Sequence, residues 1–407
     1  MIHRALLSGV LSAGVNVSDL EMVPIPINRY ELKALKSKGG FHVRKSPYDP
    51  AVIDVKFFDS DGMDLPASKE KIVERLFFGE DFERVSMEEV GELSFPFYRV
   101  AEQYKDGFLS FVDSGIIKGR KIKLAIDYAY GSASQIFPSI LGELGCDVVA
   151  INAHADEAKI TKTKEEFEKS LHQLSQIVTT LRCDLGIMFD AGAEKVFLVD
   201  DRGQILSGDT ALALMALLSL KHSGKKVVAT PVTSSRVIEE IARSYKGRVL
   251  RTKTSARSMM EATLGEDISF VGERLGGYIF PKFQVSFDSM LSAAKLLEYL
   301  VKEEFQISAI LSETPKTHMA RIDISCPTNL KGRVMRSVIE ETGDFPVELI
   351  DGVKIYHRRD WALILPHPDH PSIAVHAEAS DDESLRKLLD LYAIKIRDIC
   401  LAEGGKE

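Results

Sequence analysis

Short apolar runs bounded by charged residues and glycines alternate along the chain with longer stretches of mixed polarity, and the alternation repeats. Residues 121–128 (KIKLAIDY), 147–153 (DVVAINA) and 184–190 (DLGIMFD) have the near-continuous apolar character of strands buried on both faces. Between them lie SQIFPSILGELG and a polar segment over about 164–181, which read as helices. The plan recurs downstream. Residues 225–232, GRVLRTKT and 267–273 are the strands, and SRVIEEIARSY and SARSMMEATL are the helices. Each unit is β-α-β-α-β, and its last strand runs into an acidic residue. At the N-terminus, the helix MIHRALLSGVLSAG, the strand GVNVSDL, the helix NRYELKALKSK and the strand GGFHVRK supply the last four elements of the same plan. The opening strand is missing, which predicts a first unit truncated at its N-terminus. The last hundred residues differ. HMARIDIS, VELIDGVKIYH, WALILP and SIAVHAEA are short strands, and a helix from 381 to about 400 follows. The expected fold class is α/β, with three related α/β/α domains (1–95, 96–208 and 209–313) and a small α+β domain over 314–407.

Composition narrows the partners. A chain of 407 residues exceeds the roughly 250–300 that one core supports, in keeping with several domains. An apolar fraction of 45% with 28% charged residues is that of a soluble globular protein. The net charge of −8 argues against nucleic acid and acidic membranes as partners. No apolar run is long enough to span a bilayer. Arg4 and the apolar residues after it resemble a short signal peptide. Ile2, Leu6, Leu7, Val10 and Leu11 instead form a helical stripe that leads straight into a strand, so the expected location is the cytoplasm. Cys146, Cys183, Cys326 and Cys400 lie far apart without metal spacing and read as reduced thiols.

The third strand of each unit ends in a distinctive loop, and ligands of open α/β sheets sit at the carboxyl ends of strands. In GGFHVRKSPYDP, Ser46 is either a phosphate-carrying hydroxyl, with Arg44 and Lys45 to neutralise charge, or part of an exposed turn rich in proline. Strand alternation puts 42, 44 and 46 on one face. In FDAGAEK, Asp190 and Glu194 are oxygen ligands for a hard cation, or simply the ends of a hairpin turn. In VGERLGG, Glu273 could bind sugar hydroxyls beside glycines that admit a ligand, or the segment is a plain turn. LPHPDHPS, with two histidines flanking Asp369, reads as a stiff exposed loop rather than a metal site.

In order, spacing and flanking sequence, these loops resemble those of the α-D-phosphohexomutase superfamily, the phosphoglucomutases and phosphomannomutases. GGFHVRKSPYDPAVIDVKFFDSDG is similar to the phosphoserine loop and its K-F-F tail. DLGIMFDAGAEKVFLVDDRGQIL is similar to the metal loop D-G-D-A-D-R, VGERLGGYIFP to the sugar loop G-E-x-S-G-H, and WALILPHPDHPSIAVHAEA to the phosphate loop. The resemblance implies four domains around a cleft and phosphate transfer between the 1- and 6-positions of a hexose phosphate. It implies Ser46 as the phosphate carrier, with Lys56 and Lys195 as catalytic cations. Asp190 and Glu194 would be ligands of Mg²⁺, and Arg44, Lys45, Glu273 and Gly276 would contact substrate. The departures are Pro47 for a histidine, Gly192 for the second metal aspartate, and Glu194 for the third. Lys195 replaces an arginine, and Leu275 and Gly277 replace polar sugar contacts. Leu365, His367, Pro368 and Asp369 stand where the phosphate loop has arginine, serine, glycine and threonine.

The R-x-S-P-x-D-P and L-P-x-P-D-x-P loops look most like the mutase-like C-terminal region of bacterial mannose-1-phosphate guanylyltransferases. Two expectations follow. One is a phosphohexomutase with degenerate loops. The other is a non-catalytic sugar-phosphate-binding or architectural module, with a sugar nucleotidyltransferase fused or associated upstream.

Overall fold

The computed structural model describes all residues except 48, 266, 305–306, 313–317 and 405–407. The boundary expected between 313 and 314 therefore lies outside the described residues, as does Tyr48 of the serine loop.

The second and third units share one sheet plan. In the second, Lys123–Asp127 is flanked by Asp147–Ile151 and Leu185–Phe189, all parallel, and Val196–Val199 adds antiparallel to the last. In the third, Val227–Pro231 lies between Arg248–Thr252 and Phe270–Gly272, again parallel, with Tyr278–Ile279 antiparallel at the edge. The third strand of each unit thus turns back through a hairpin, and the hairpin turn carries the candidate loop. The first unit keeps only that hairpin, Gly39–Lys45 against Ile53–Asp59. Its other short strand, Val17–Ser18, pairs with Leu93–Ser94 instead. A cavity of about 1590 Å³ separates the two pairs and is lined by Val17, Leu20, Phe41, Val43 and Phe57. The fourth unit is a five-stranded antiparallel sheet. Ser372–Ala379 lies between His318–Ser325 and Asp360–Pro366, and Val353–His357 and Val347–Glu348 extend it. The helix Asp382–Gly404 covers it.

Two helices at the centre have no counterpart in the sequence reading. Gly208–His222 and Ser289–Lys302 are buried nearly all round; the first has no one-sided apolar stripe, while the second keeps a polar stripe of Ser289, Ser292, Lys295 and Glu298 that is itself buried. With Phe97–Phe111 they join the second and third units into one continuous core. Ser207 and Asp288 cap the two central helices, accepting from the N–H groups of Thr210 (3.2 Å) and Leu291 (2.9 Å). The helix Lys331–Glu340 in the fourth unit was likewise unassigned by pattern. Among the described residues, no helix is long and apolar enough to cross a membrane.

Candidate functional site

Ser46 ends the strand Gly39–Lys45 and is 5% exposed. The exposed-turn alternative therefore does not describe it. Its N–H donates to Val52 O (2.9 Å), and its carbonyl accepts from Thr161 Oγ1 (2.5 Å). The Pro47 carbonyl accepts from Lys162 N (3.2 Å). These bonds pin the serine loop to the second unit.

Cross-strand register sets what surrounds the serine. His42 lies opposite Lys56, and Arg44 opposite Asp54. Alternation puts these four on one face and turns Lys45 to the other. Arg44 Nε donates to Asp54 Oδ2 (3.3 Å). Lys56 Nζ donates to Glu194 Oε2 (2.5 Å), bridging the first and second units. The other oxygen, Oε1, accepts from Arg29 Nη2 (3.0 Å). Arg29 is buried in the helix Ile25–Ala34, where its guanidinium lies 4.1 Å from the Phe58 ring centroid. It also donates to Asp64 Oδ1 (2.6 Å) and Gly62 O (2.8 Å). Burial alone would raise the Glu194 carboxyl, but Lys56 and Arg29 bring it down to about 2. Burial, with Arg44 nearby, lowers His42 to about 4, so this imidazole is neutral at physiological pH.

Asp190 closes the hairpin that follows Leu185–Phe189. Its Oδ1 accepts from the N–H groups of Glu194 and Lys195, both at 2.7 Å. Burial and the Glu194 carboxylate push its carboxyl upward, partly offset by the Lys195 N–H bond and Arg44. The third loop meets this hairpin edge to edge. Val196 N donates to Gly276 O (3.0 Å), and Lys195 forms a bridge with Gly277. Gly276 has φ +88°, and an added Cβ would lie 2.4 Å from Val196 O, so both backbone conformation and close approach require glycine there. Glu273 is buried and faces Lys195, with Nζ 3.7 Å from Oε1. Burial raises its carboxyl, opposed by Lys195.

The loops of the first three units thus converge. Arg44, Lys56, Asp190, Glu194, Lys195, Glu273 and Gly276 meet, while Lys45 lies on the far side of its strand. The fourth loop is organised differently. Lys331 Nζ donates to the carbonyls of His367 (2.6 Å) and His370 (2.5 Å). His367 Nδ1 accepts from Asp369 N (3.1 Å) and His370 N (3.0 Å). The contacts described for it lie within the fourth unit: residues 368–371 are exposed, as expected, and Lys331 braces the loop from below.

The residues fit Mg²⁺ poorly, because it takes one or two carboxylates beside phosphate and water oxygens and here at most Asp190 Oδ2 is left to it. One Asp190 oxygen closes its turn, both Glu194 oxygens are held by cations, and Gly192 supplies none. No group of three His, Cys, Asp or Glu placed for a metal occurs among the described residues. The expectation of a two-carboxylate Mg²⁺ site at Asp190 and Glu194 therefore does not match what these side chains do. Sequence reasoning also missed Arg29. The available signal was a cation on the same helical face as Ile25 and Leu32, a position that buries.

Comparison with known proteins agrees with this architecture. Family models for phosphoglucomutase/phosphomannomutase alpha/beta/alpha domains I, II and III match residues 1–84, 102–203 and 207–318. The chain is 30% identical over 392 residues to a phosphoglucomutase/phosphomannomutase of Thermococcus kodakarensis, covering 96% of this chain and 86% of that one. It is 29% identical to a phosphoglucosamine/phosphogalactosamine mutase of Sulfurisphaera tokodaii, covering 96% and 87%. A phosphoglucomutase/phosphomannomutase family protein of Burkholderia thailandensis shares the fold at TM-score 0.84 and 21% identity, over 98% of this chain and 86% of that one. An Aspergillus fumigatus N-acetylphosphoglucosamine mutase, solved with GlcNAc-6P and magnesium, superposes at TM-score 0.62 with 13% identity, covering 91% and 96%. With its repeated hairpin-ended sheets, its converging loops and matches along nearly its whole length, the chain belongs to the phosphoglucomutase/phosphomannomutase family of the α-D-phosphohexomutase superfamily.

Proposed function

We propose that this protein binds a hexose phosphate at the meeting point of the three loops and moves phosphate between its 1- and 6-positions, with Ser46 as carrier. The observation that carries the reading is the burial of Ser46 directly after the strand that carries Arg44, its loop tied to the second unit through Thr161, while Lys56 of the paired strand reaches Glu194 and Lys195 of the same turn faces Glu273. The phosphoryl group of phosphorylated Ser46 passes to a sugar hydroxyl: the Oγ–P bond breaks as the new P–O bond forms, and the hydroxyl proton goes to the freed Ser46 Oγ. The phosphoryl at the other end of the sugar bisphosphate then returns to Ser46 Oγ, and the serine proton passes to the departing sugar oxygen. Arg44, Lys56 and Lys195 offset the charge on the moving group, which is most of what this reaction asks of a protein. The Lys195–Glu273 pair supplies polar contacts for sugar hydroxyls. The relatives' names support trying glucose, mannose and glucosamine phosphates first.

One observation favours a second reading, a non-catalytic sugar-phosphate or architectural module of a nucleotidyltransferase such as a mannose-1-phosphate guanylyltransferase. The fourth loop turns two of its carbonyls onto Lys331 and carries Pro368 and Asp369, a poor set for gripping a phosphate. A coupled mutase assay decides between them. It would use glucose- or mannose-1-phosphate with a trace of hexose 1,6-bisphosphate, with and without Mg²⁺. Turnover that disappears in Ser46→Ala is expected. A folded wild-type protein no faster than Ser46→Ala would leave the module reading.

A further inference from the structure

The turn 190–195 has an unusual neighbour. Gly192 carries no side chain, and a Cβ placed there would lie 2.6 Å from Arg44 Nη1 and 3.5 Å from Asp190 Oδ2. The space into which a residue at 192 would project is therefore held by a guanidinium from another unit. Among the described residues, that guanidinium is anchored through Nε to Asp54 at 3.3 Å. Its Nη1 is buried, with no hydrogen-bond partner among the described residues. A buried cationic donor left unsatisfied costs free energy, so such a group persists where something else completes it. Three of the four carboxylate oxygens of Asp190 and Glu194 are committed elsewhere. Asp190 Oδ1 accepts two backbone N–H groups, and Glu194 accepts from Arg29 and Lys56.

We propose that Arg44 is the resident cation of this site: its guanidinium stands where a divalent metal would otherwise be held, and its free Nη1 donates to a phosphoryl oxygen of the bound sugar phosphate. This rests on the sugar-phosphate reading above and deepens it, because it makes phosphate binding independent of metal. Two features of the chain make the exchange self-consistent. The absence of a side chain at 192 gives the guanidinium room, and the pairing of Arg44 with Asp54 across the hairpin aims it. An arginine is always charged, so this cation needs neither a metal supply nor a narrow pH range.

Two readouts test it on the whole chain. The first is Mn²⁺ alone, titrated and followed by electron paramagnetic resonance. Wild type is expected to show no saturable site, while Arg44→Ala/Gly192→Asp, which frees the space and restores a carboxylate, is expected to gain one. The second is calorimetric binding of glucose 1,6-bisphosphate in the presence of EDTA. Wild type is expected to bind undiminished by the chelator, and Arg44→Ala about 10- to 100-fold more weakly, the usual effect of losing a charge-assisted hydrogen bond. Arg44→Lys is expected to recover part of the loss, because it restores charge without the fork. Circular dichroism confirms that the variants are folded. A stoichiometric Mn²⁺ site in wild type, or bisphosphate binding abolished by EDTA, overturns the proposal. Bisphosphate that fails to bind wild type under any condition overturns the sugar-phosphate reading instead, and the Mn²⁺ titration still decides whether the site takes a metal.

Discussion

Glu194 is the residue on which the first two units depend. Its carboxylate is almost wholly buried between Arg29 and Lys56, both of which come from the first unit. Removing one partner of a buried ion pair leaves the other without compensation, at a cost of several kcal/mol. Glu194→Gln is expected to lower unfolding free energy by about 3 kcal/mol, read from urea denaturation. Asp54→Asn breaks a partly buried pair with Arg44 but keeps an acceptor for it, and is expected to change it by about 1 kcal/mol. The pH dependence has a definite sign. The folded carboxyl sits at about 2, below an unfolded value near ~4.3, so its stabilisation is present above that unfolded value and is lost as pH falls toward 2. Wild type should lose stability over this window, and Glu194→Gln should lose less.

At the scale of elements, the buried helix Ser289–Lys302 positions the second loop from behind. Ser289 N donates to Ala193 O (3.0 Å), inside the turn that Asp190 closes. The start of this helix is held by Asp288. Besides capping Leu291 N, it accepts from Tyr104 Oη and Gln284 Nε2, both at 2.6 Å. Tyr104 belongs to Phe97–Phe111, so one carboxylate ties a helix N-terminus to a helix of the preceding unit. Asp288→Ala removes the cap and orphans a buried hydroxyl, at a cost of about 3 kcal/mol. Asp288→Asn keeps an acceptor and should recover part of that. Hydrogen exchange at Ala193 and Glu194 should accelerate in Asp288→Ala. Unchanged exchange there would mean that the helix start does not hold the loop.

At the scale of the molecule, the fourth unit is fastened to the third by a second buried carboxylate. Glu378 accepts from Trp361 Nε1 (2.5 Å), Ser235 Oγ (2.6 Å) and Arg236 N (3.0 Å). Trp361 is the chain's one tryptophan, is fully buried, and lies under Lys354 Nζ at 3.8 Å from the ring centroid. Lys354 reaches across to Val232 O (2.8 Å). Burial, reinforced by Arg251, lowers Lys354 to about 7. Above that pH the folded protein holds a neutral amine while the unfolded chain stays protonated to about ~10.4, so stability should rise with pH from about 7 upward. Trp361 fluorescence should titrate near pH 7, and the step should vanish in Lys354→Met. A flat signal in wild type would mean that the ammonium stays charged over the indole.

The chain's order of apolar runs determined most of the fold on its own. Strands buried on both faces, such as Leu185–Phe189, are continuous apolar runs that local pattern reveals, and their shared plan exposed the internal repeat. The helix Gly208–His222 escaped because burial on every side erases the 3.6-residue period, whereas Ser289–Lys302 keeps that period, with Ser289, Ser292, Lys295 and Glu298 on one stripe, and its signal was available in the sequence. In the site, Ser46, Asp190, Glu194 and Glu273 were legible because each follows a strand at the end where α/β sheets place ligands. Their use was not legible. Which carboxylate meets which cation depends on units far apart in sequence coming together, and only the tertiary structure brings Arg29 and Lys56 onto Glu194 and Arg44 into the space beside Gly192. Local pattern fixes where a side chain sits on its own strand or helix, whereas charge pairing is settled by contacts that exist only once the units have packed.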